Sequence, residues 1–313
     1  MFKNVKLEGV LKLLSIITLV GLIFMPILYI PLTQLFKNSH VVGGLSNYDK
    51  NSLNVKNINM PEKIYAAYLN KELCPQSFPL GMPKIQSQEV NQSSAILCQS
   101  KYAVQYSEDT KTPLWASHVL RKSDFTNSNY VERTDDFRLN PDVPEETQVK
   151  PSVYSRSGYD KGHLVPAADF SYNDKYMSES FLMTNIAPQA PNNNRKTWSN
   201  LEKSIRNLLK KNEINELYVT TGVLYLNDKN LGIINKKVKI PTHFYKVIVE
   251  PKSGFSAAYV VPNNNNVNPN FKNYLISISN LEKAAGIKFN SDLSGVKATE
   301  FVKNDGQLNT YLN

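Results

Sequence analysis

Two segments carry the reading of this chain: Tyr159-Asp160-Lys161-Gly162-His163-Leu164-Val165-Pro166-Ala167-Ala168-Asp169, and Asn192-Asn193-Asn194-Arg195-Lys196-Thr197-Trp198-Ser199-Asn200-Leu201-Glu202. In the first, a histidine follows glycine in a short, turn-prone run between charged residues. An imidazole titrating near about 6.5 suits a general base at neutral pH, yet a lone histidine beside an aspartate reads equally as a hydrogen-bonded structural residue. The second segment leads from the apolar run Phe181 to Asn185 into a long helical pattern, Arg195 to Lys211, with Leu201, Ile205, Leu208 and Leu209 at helical spacing. Residues four apart on a helix advance by about 40°, so Asn194, Trp198, Glu202 and Arg206 share a stripe beside that apolar face. Such a stripe can present an amide, a carboxylate and a guanidinium to a cleft. It can also be a solvated polar face whose asparagines cap and turn the helix.

Outward from these segments the chain alternates short strands with few helices. Tyr102 to Tyr106 and Leu114 to Leu120 flank a Thr-Lys-Thr-Pro turn and predict a hairpin. Phe181 to Asn185, Leu217 to Leu226, Val238 to Val249 and Ser256 to Val261 are rich in β-branched and aromatic residues and predict further strands. Asp174 to Ser180 predicts a short helix, and Ser277 to Phe289 a small helical unit. Residues 263 to 270, with four consecutive asparagines, predict a surface loop. The fold class is mixed α+β, without internal repeats.

The N-terminus sets the compartment. Leu13 to Leu32 carries no charge and would reach roughly 30 Å as a helix, the thickness of a bilayer core. It reads as a membrane anchor or a long signal segment, with residues 13 to 32 as the membrane contact. Lys3, Lys6 and Lys12 precede it, which places the chain after Lys37 on the extracytoplasmic side, anchored there or exported after cleavage. Residues 1 to 37 thus form the anchor or signal segment, 38 to 62 an Asn-, Ser-, Gly- and Lys-rich linker, and 63 to 313 the functional domain. Only two cysteines exist, Cys74 and Cys98; in an oxidising compartment a disulfide between them is expected, the alternative being two buried thiols. A net charge of +9 and a pI near 9.2 favour polyanionic partners. No second Cys/His cluster suggests zinc.

Taken together, the two segments resemble the DNA/RNA non-specific endonuclease family. Asp160-Lys161-Gly162-His163 matches its Asp-Arg-Gly-His hallmark, and Asn194, Trp198, Leu201 and Glu202 follow in register about thirty residues on. The likeness extends through Arg133-Thr-Asp-Asp-Phe-Arg138, Tyr154 to Tyr159, Thr221-Gly-Val and Ile240-Pro-Thr-His-Phe-Tyr-Lys246. It implies a ββα-metal (His-Me finger) fold, with a hairpin carrying the histidine, a following helix carrying the metal ligand, and a central antiparallel sheet flanked by helices. The activity implied is hydrolysis of DNA and RNA phosphodiesters, leaving 5′-phosphate and 3′-hydroxyl ends. His163 would be the general base and Asn194 the ligand of one Mg²⁺, Mn²⁺ being the alternative ion. Among Asn192, Asn193 and Asn194, only the spacing to Trp198 selects the last.

The resemblance also implies that Glu202 orients a water of the ion or a neighbouring side chain, since eight helical residues span about 12 Å, too far to share the ion with Asn194. It makes Arg133, Lys161 and Arg206 phosphate contacts, adds Asn185 as a substrate-side residue behind the histidine, and leaves Asp160 to shape the turn. Lys161 departs from the family's arginine: it keeps the charge and loses the bidentate fork. DNA and RNA are the implied partners, and the family admits a second copy of the chain and a protein inhibitor. Trp198, Tyr159 and Phe170 read as core residues rather than base-stacking platforms, and His243 as structural. A membrane-tethered nucleic-acid binder with weakened cleavage is the alternative function, and a phosphodiesterase for another anionic ester a third.

Overall fold

A computed structural model of the protein describes residues 74, 77, 81–86, 94–126, 130–211, 214–226, 231–289 and 312. The chain divides after Val42, and the described residues all belong to the second unit, Gly43–Asn313. The expected membrane segment at 13 to 32, the linker at 38 to 62 and the domain boundary at 63 lie outside the described residues. Among the described residues no helix is long and apolar enough to cross a membrane.

The elements run β1 (Lys84–Ile85), β2 (Ser94–Cys98), β3 (Tyr102–Ser107), β4 (Thr112–Arg121), α1 (Ser123–Thr126), β5 (Asp160–His163), α2 (Asp174–Ser180) and β6 (Ile186–Gln189). A third helix, α3, begins as a π-helical stretch, Asn193–Trp198, and continues as α-helix over Ser199–Lys211. Then follow β7 (Glu216–Leu224), β8 (Ile233–Ile234), β9 (Val238–Lys239), β10 (His243–Val249), β11 (Ser256–Pro262), β12 (Leu275–Ile276), α4 (Ile278–Ala285) and β13 (Ile287–Lys288). Seven strands pair in the order β12-β11-β10-β7-β4-β3-β2, antiparallel throughout.

Side chains on a strand alternate between faces, and here both faces are covered. On β10, Phe244 and Ile248 join one apolar cluster, while Tyr245, Val247 and Val249 join the other. The first face packs against α3 through Leu201, Ile205, Leu208 and Leu209; burial of each such side chain contributes roughly 2 kcal/mol. The second packs against α4 through Ile278 and Leu281. A Cβ on Gly222 would stand 2.2 Å from the Tyr245 ring across the β7–β10 pair, so only glycine fits there. Cys74 and Cys98 form the expected disulfide, with Cα atoms 5.7 Å apart.

The hairpin predicted around Thr110 to Pro113 forms as β3 and β4, and β7, β11 and α2 lie where the sequence places them. Four expectations differ. Phe181 to Asn185 is not a strand: Met183–Asn185 is a 3-10 turn, and β6 starts at Ile186. The single strand expected over Val238 to Val249 is two, β9 and β10, because Pro241 between them lacks the N–H a ladder needs. The third helix starts at Asn193 as a π stretch rather than at Arg195 as an α-helix. The final helical unit stops at Gly286, whose positive φ of 61° caps α4, and Ile287–Lys288 pairs with β1 instead.

Candidate active site

β5 and β6 form a two-stranded antiparallel hairpin in which Asp160 pairs with Gln189 and His163 with Ile186. Four residues after β6 the chain enters α3, so hairpin and helix make a compact ββα unit against the large sheet. Gly162 is required inside β5: a Cβ there would lie 2.4 Å from the Gln189 side-chain oxygen.

Asp160 joins strand to helix. Its Oδ2 accepts a hydrogen bond from Asn194 Nδ2 at 2.9 Å, and both its oxygens accept from Arg195, at 2.6 and 2.8 Å. Burial works against ionising Asp160, but the bonds from Arg195 and Asn194 win and hold its carboxyl below the usual carboxylate range. The bond also fixes the Asn194 amide: its NH₂ end is turned to Asp160, which leaves Oδ1 as the end available to a ligand. Asn192 and Asn193 are engaged elsewhere, Asn192 with Asn265 and Asn193 through Nδ2 with the Pro262 carbonyl at 3.1 Å.

His163 is wedged between two rings, Phe181 at 4.9 Å edge-on and Phe137 at 5.3 Å. Its Nε2 is enclosed without a hydrogen-bond partner. Burial, joined by the charges of Arg133 and Lys161, lowers its pKa to about 3, so the imidazole is neutral at neutral pH. Those two cations sit on the same rings: Arg133 is 4.8 Å above Phe181 and Lys161 is 4.5 Å above Phe137. Arg133 is half exposed, and its segment is pinned where Asp136 receives Arg138, Thr134 and Ser178.

Glu202 and Arg206 lie one turn apart on the α-helical part of α3. Burial pushes the Glu202 carboxyl up to about 7, against the pull of Lys246, Arg206 and Arg133. Arg133 thus acts electrostatically on both His163 and Glu202. Arg206 was expected to contact phosphate; one of its nitrogens is committed to Asp169 at 2.7 Å, and its side chain is only 17% exposed. Asp169 in turn bonds His118 of β4 at 2.9 Å. Burial lowers the pKa of His118, and Asp169 only partly restores it.

Two expectations need correction. Asn185 is fully buried, its NH₂ donating to the Val165 and Ser180 carbonyls and its oxygen accepting from Val165 N–H; with every group used internally, it braces the turn after His163 rather than binding substrate. Trp198 is not on the cleft stripe. The π stretch, in which Ser199 N–H bonds the Asn194 carbonyl, changes the phase of the helix, and Trp198 enters the core against Phe244. Phe170 is likewise core, Tyr159 packs at the edge of a third apolar cluster, and His243 bonds Thr242. Sequence reasoning missed Asp169, and it missed Lys246 as a member of the site. The signal was present in β10, where a lysine occupies the face taken by Phe244 and Ile248.

The sequence model of the family described as DNA/RNA non-specific endonuclease matches residues 84–295. The chain belongs to that family. Other members include a nuclease of Nostoc sp., 34% identical over 64% of this chain and 74% of its own length, and human mitochondrial endonuclease G, 31% identical over 70% and 73%. A solved structure of an EndoG/EndoGI complex superposes with a TM-score of 0.61 at 28% identity, covering 70% of this chain and 91% of that one. As a DNA/RNA non-specific endonuclease the chain is a hydrolytic enzyme, and the family is one of metal-dependent nucleases.

Proposed function

We propose that the chain hydrolyses phosphodiester bonds of both DNA and RNA with one Mg²⁺, His163 acting as general base and Asn194 as the protein's ligand to the ion. The observation that carries this reading is the Asp160 carboxylate, which turns the Asn194 oxygen outward while standing on the strand that ends at His163. Among the described residues no three His, Cys, Asp or Glu side chains converge as a metal cage. A single amide oxygen with water in the remaining positions fits magnesium, which dehydrates reluctantly. Bound there, the ion would supply charge stabilisation at the scissile phosphate and the departing O3′.

The chain's own residues do the rest. With Nε2 enclosed, His163 Nδ1 accepts the proton of the attacking water. Arg133 and Lys161 bind the phosphate, and its negative charge offsets the two cations that depress His163, so the base strengthens as substrate arrives. Lysine at 161 provides charge without a fork, so positioning falls more heavily on Arg133. Arg206, tied to Asp169, holds the far end of the site, and Glu202 orients water. Contacts to phosphate rather than to bases make the enzyme indifferent to sequence and to sugar. The products carry 5′-phosphate and 3′-hydroxyl ends.

The Cys74–Cys98 disulfide supports an oxidising, extracytoplasmic location for the domain, in keeping with residues 13 to 32 as anchor or signal. A protein inhibitor and a second copy of the chain are partners consistent with this reading. The test is digestion of supercoiled plasmid and single-stranded RNA with Mg²⁺ or EDTA, beside His163→Ala. Cleavage of both substrates that disappears with EDTA and in the variant is expected; intact nucleic acid that still shifts on a gel would replace the enzyme with a tethered binder.

A further inference from the structure

Tyr130 is 61% exposed, more than any other large apolar or aromatic side chain among the described residues. Its hydroxyl accepts a hydrogen bond from Lys210 Nζ at 3.2 Å, and the same ammonium lies 5.6 Å from the Tyr130 ring and 5.7 Å from the buried Phe125 ring. Lys210 is itself exposed, and no carboxylate among the described residues pairs with it. Two rings and a hydroxyl fix the ammonium without neutralising it, so its charge is left for an anion. This ledge is fastened to the proposed active site. Lys210 follows Arg206 by four residues on α3, so the two cations share a face about 6 Å apart along the axis. The segment bearing Tyr130 is tied by Val131 N–H to the Ser171 carbonyl at 2.8 Å, two residues beyond the Asp169 that holds Arg206 at 2.7 Å. The same segment then reaches Arg133, whose guanidinium lies 4.8 Å from the Phe181 ring that flanks His163. The chain leading to Arg133 and the helix bearing Arg206 are thus joined, one turn beyond Arg206, by the Lys210–Tyr130 bond.

We propose that Tyr130 and Lys210 form a subsite for a nucleotide flanking the scissile phosphate on a single strand: the base stacks on the Tyr130 ring and its phosphate pairs with Lys210. The inference rests on the nuclease reading and names the substrate form that the site favours, a strand with unpaired bases. Every base has a π-face, so stacking on an exposed ring beside a cation adds affinity without sequence preference. The other aromatic candidates supply no such platform, because Trp198 and Phe170 are buried and Tyr159 packs against the third apolar cluster. A duplex keeps its bases stacked on one another, so it gains from Lys210 alone.

The test uses the full chain as wild type, Tyr130→Ala, Tyr130→Phe and Lys210→Gln. Binding to oligo-dT, to an abasic oligomer of the same length and to a duplex is measured by fluorescence anisotropy in EDTA. Tyr130→Ala should bind oligo-dT about 10-fold more weakly than wild type and the other two ligands equally well, while Tyr130→Phe stays within about twofold of wild type on all three. Lys210→Gln should lower the slope of log affinity against log salt on oligo-dT by about 0.7. With Mg²⁺, KM on a single-stranded oligonucleotide should rise in Tyr130→Ala by the factor seen in binding. An unchanged affinity of Tyr130→Ala for oligo-dT, or a loss of the same size on the abasic oligomer, overturns the proposal, the ring then merely propping Lys210. Should Tyr130→Ala not fold, Tyr130→Leu, apolar but without a π-face, decides on the same three ligands. A wild type that cleaves neither plasmid nor RNA overturns the nuclease reading instead, and the anisotropy measurements still decide whether the ledge holds a base.

Discussion

Asp160 shows how a residue assigned to turn geometry can control a site. Its carboxylate holds the Asn194 amide and the Arg195 fork together, so the side chain proposed as metal ligand is oriented by an oxygen on the neighbouring strand. Asp160→Ala is expected to leave the fold intact and weaken Mg²⁺ binding by about 10- to 100-fold, the usual effect of losing a group that orients a ligand; calorimetric titration of the ion and the Mg²⁺ dependence of cleavage measure it. His163 carries a second consequence. Its folded pKa of about 3 lies below the unfolded value of about 6.5, so on acidification the unfolded chain takes up a proton that the native chain does not. Its contribution to stability is complete above about 6.5 and is lost as pH falls toward about 3. Glu202, raised by burial, works in the opposite sense across part of that range, so the comparison with a variant isolates the histidine. Between pH 7 and 5, wild type should lose stability faster than His163→Ala by at most about 1.4 kcal/mol per pH unit. Urea midpoints at each pH check this.

The start of α3 is the element on which the site depends most, and the sequence pattern describes it least well. The asparagine run at 263 to 270, read as a surface loop, forms its support. Asn263 is buried and bonds Ala190 N–H, the Pro188 carbonyl and the Pro241 carbonyl at 2.7, 2.9 and 2.8 Å. Asn265 receives Asn192, and the Asn268 carbonyl receives Thr197. These contacts lock β6 and the π stretch against the end of β11. Asn263→Ala leaves two carbonyls and an N–H without partners, each costing about 1–3 kcal/mol, so a destabilisation of about 3 kcal/mol or more is expected in denaturant melts. Such bonds join residues some seventy positions apart and leave no periodic trace. The apolar face of α3 does: Leu201, Ile205, Leu208 and Leu209 are buried as their spacing requires. Trp198 escaped that rule because one π stretch altered the phase.

Across the domain, the Cys74–Cys98 bridge ties the chain ahead of β1 to strand β2 at the sheet edge. Both cysteines lie away from the hairpin and α3, so Cys98→Ser should lower stability by roughly 3 kcal/mol, the entropy of closing a loop of this length, while kcat of the folded protein stays unchanged; thermal melts beside plasmid digestion read both. The mixed α+β class, the β3–β4 hairpin, the disulfide partners, and the strand and helix that carry His163 and Asn194 were all legible in the residues. Each depends on local pattern, on cysteine count or on a motif whose spacing is linear in the chain. The internal bonds of Asn185, the π stretch at Trp198, the orientation of Asn194 and the burial of Lys246 were not legible. Each arises from groups distant in sequence that meet because the antiparallel sheet, the ββα hairpin and the asparagine loop enclose one buried polar floor. There, the need to partner every enclosed donor, acceptor and charge settles what each side chain does.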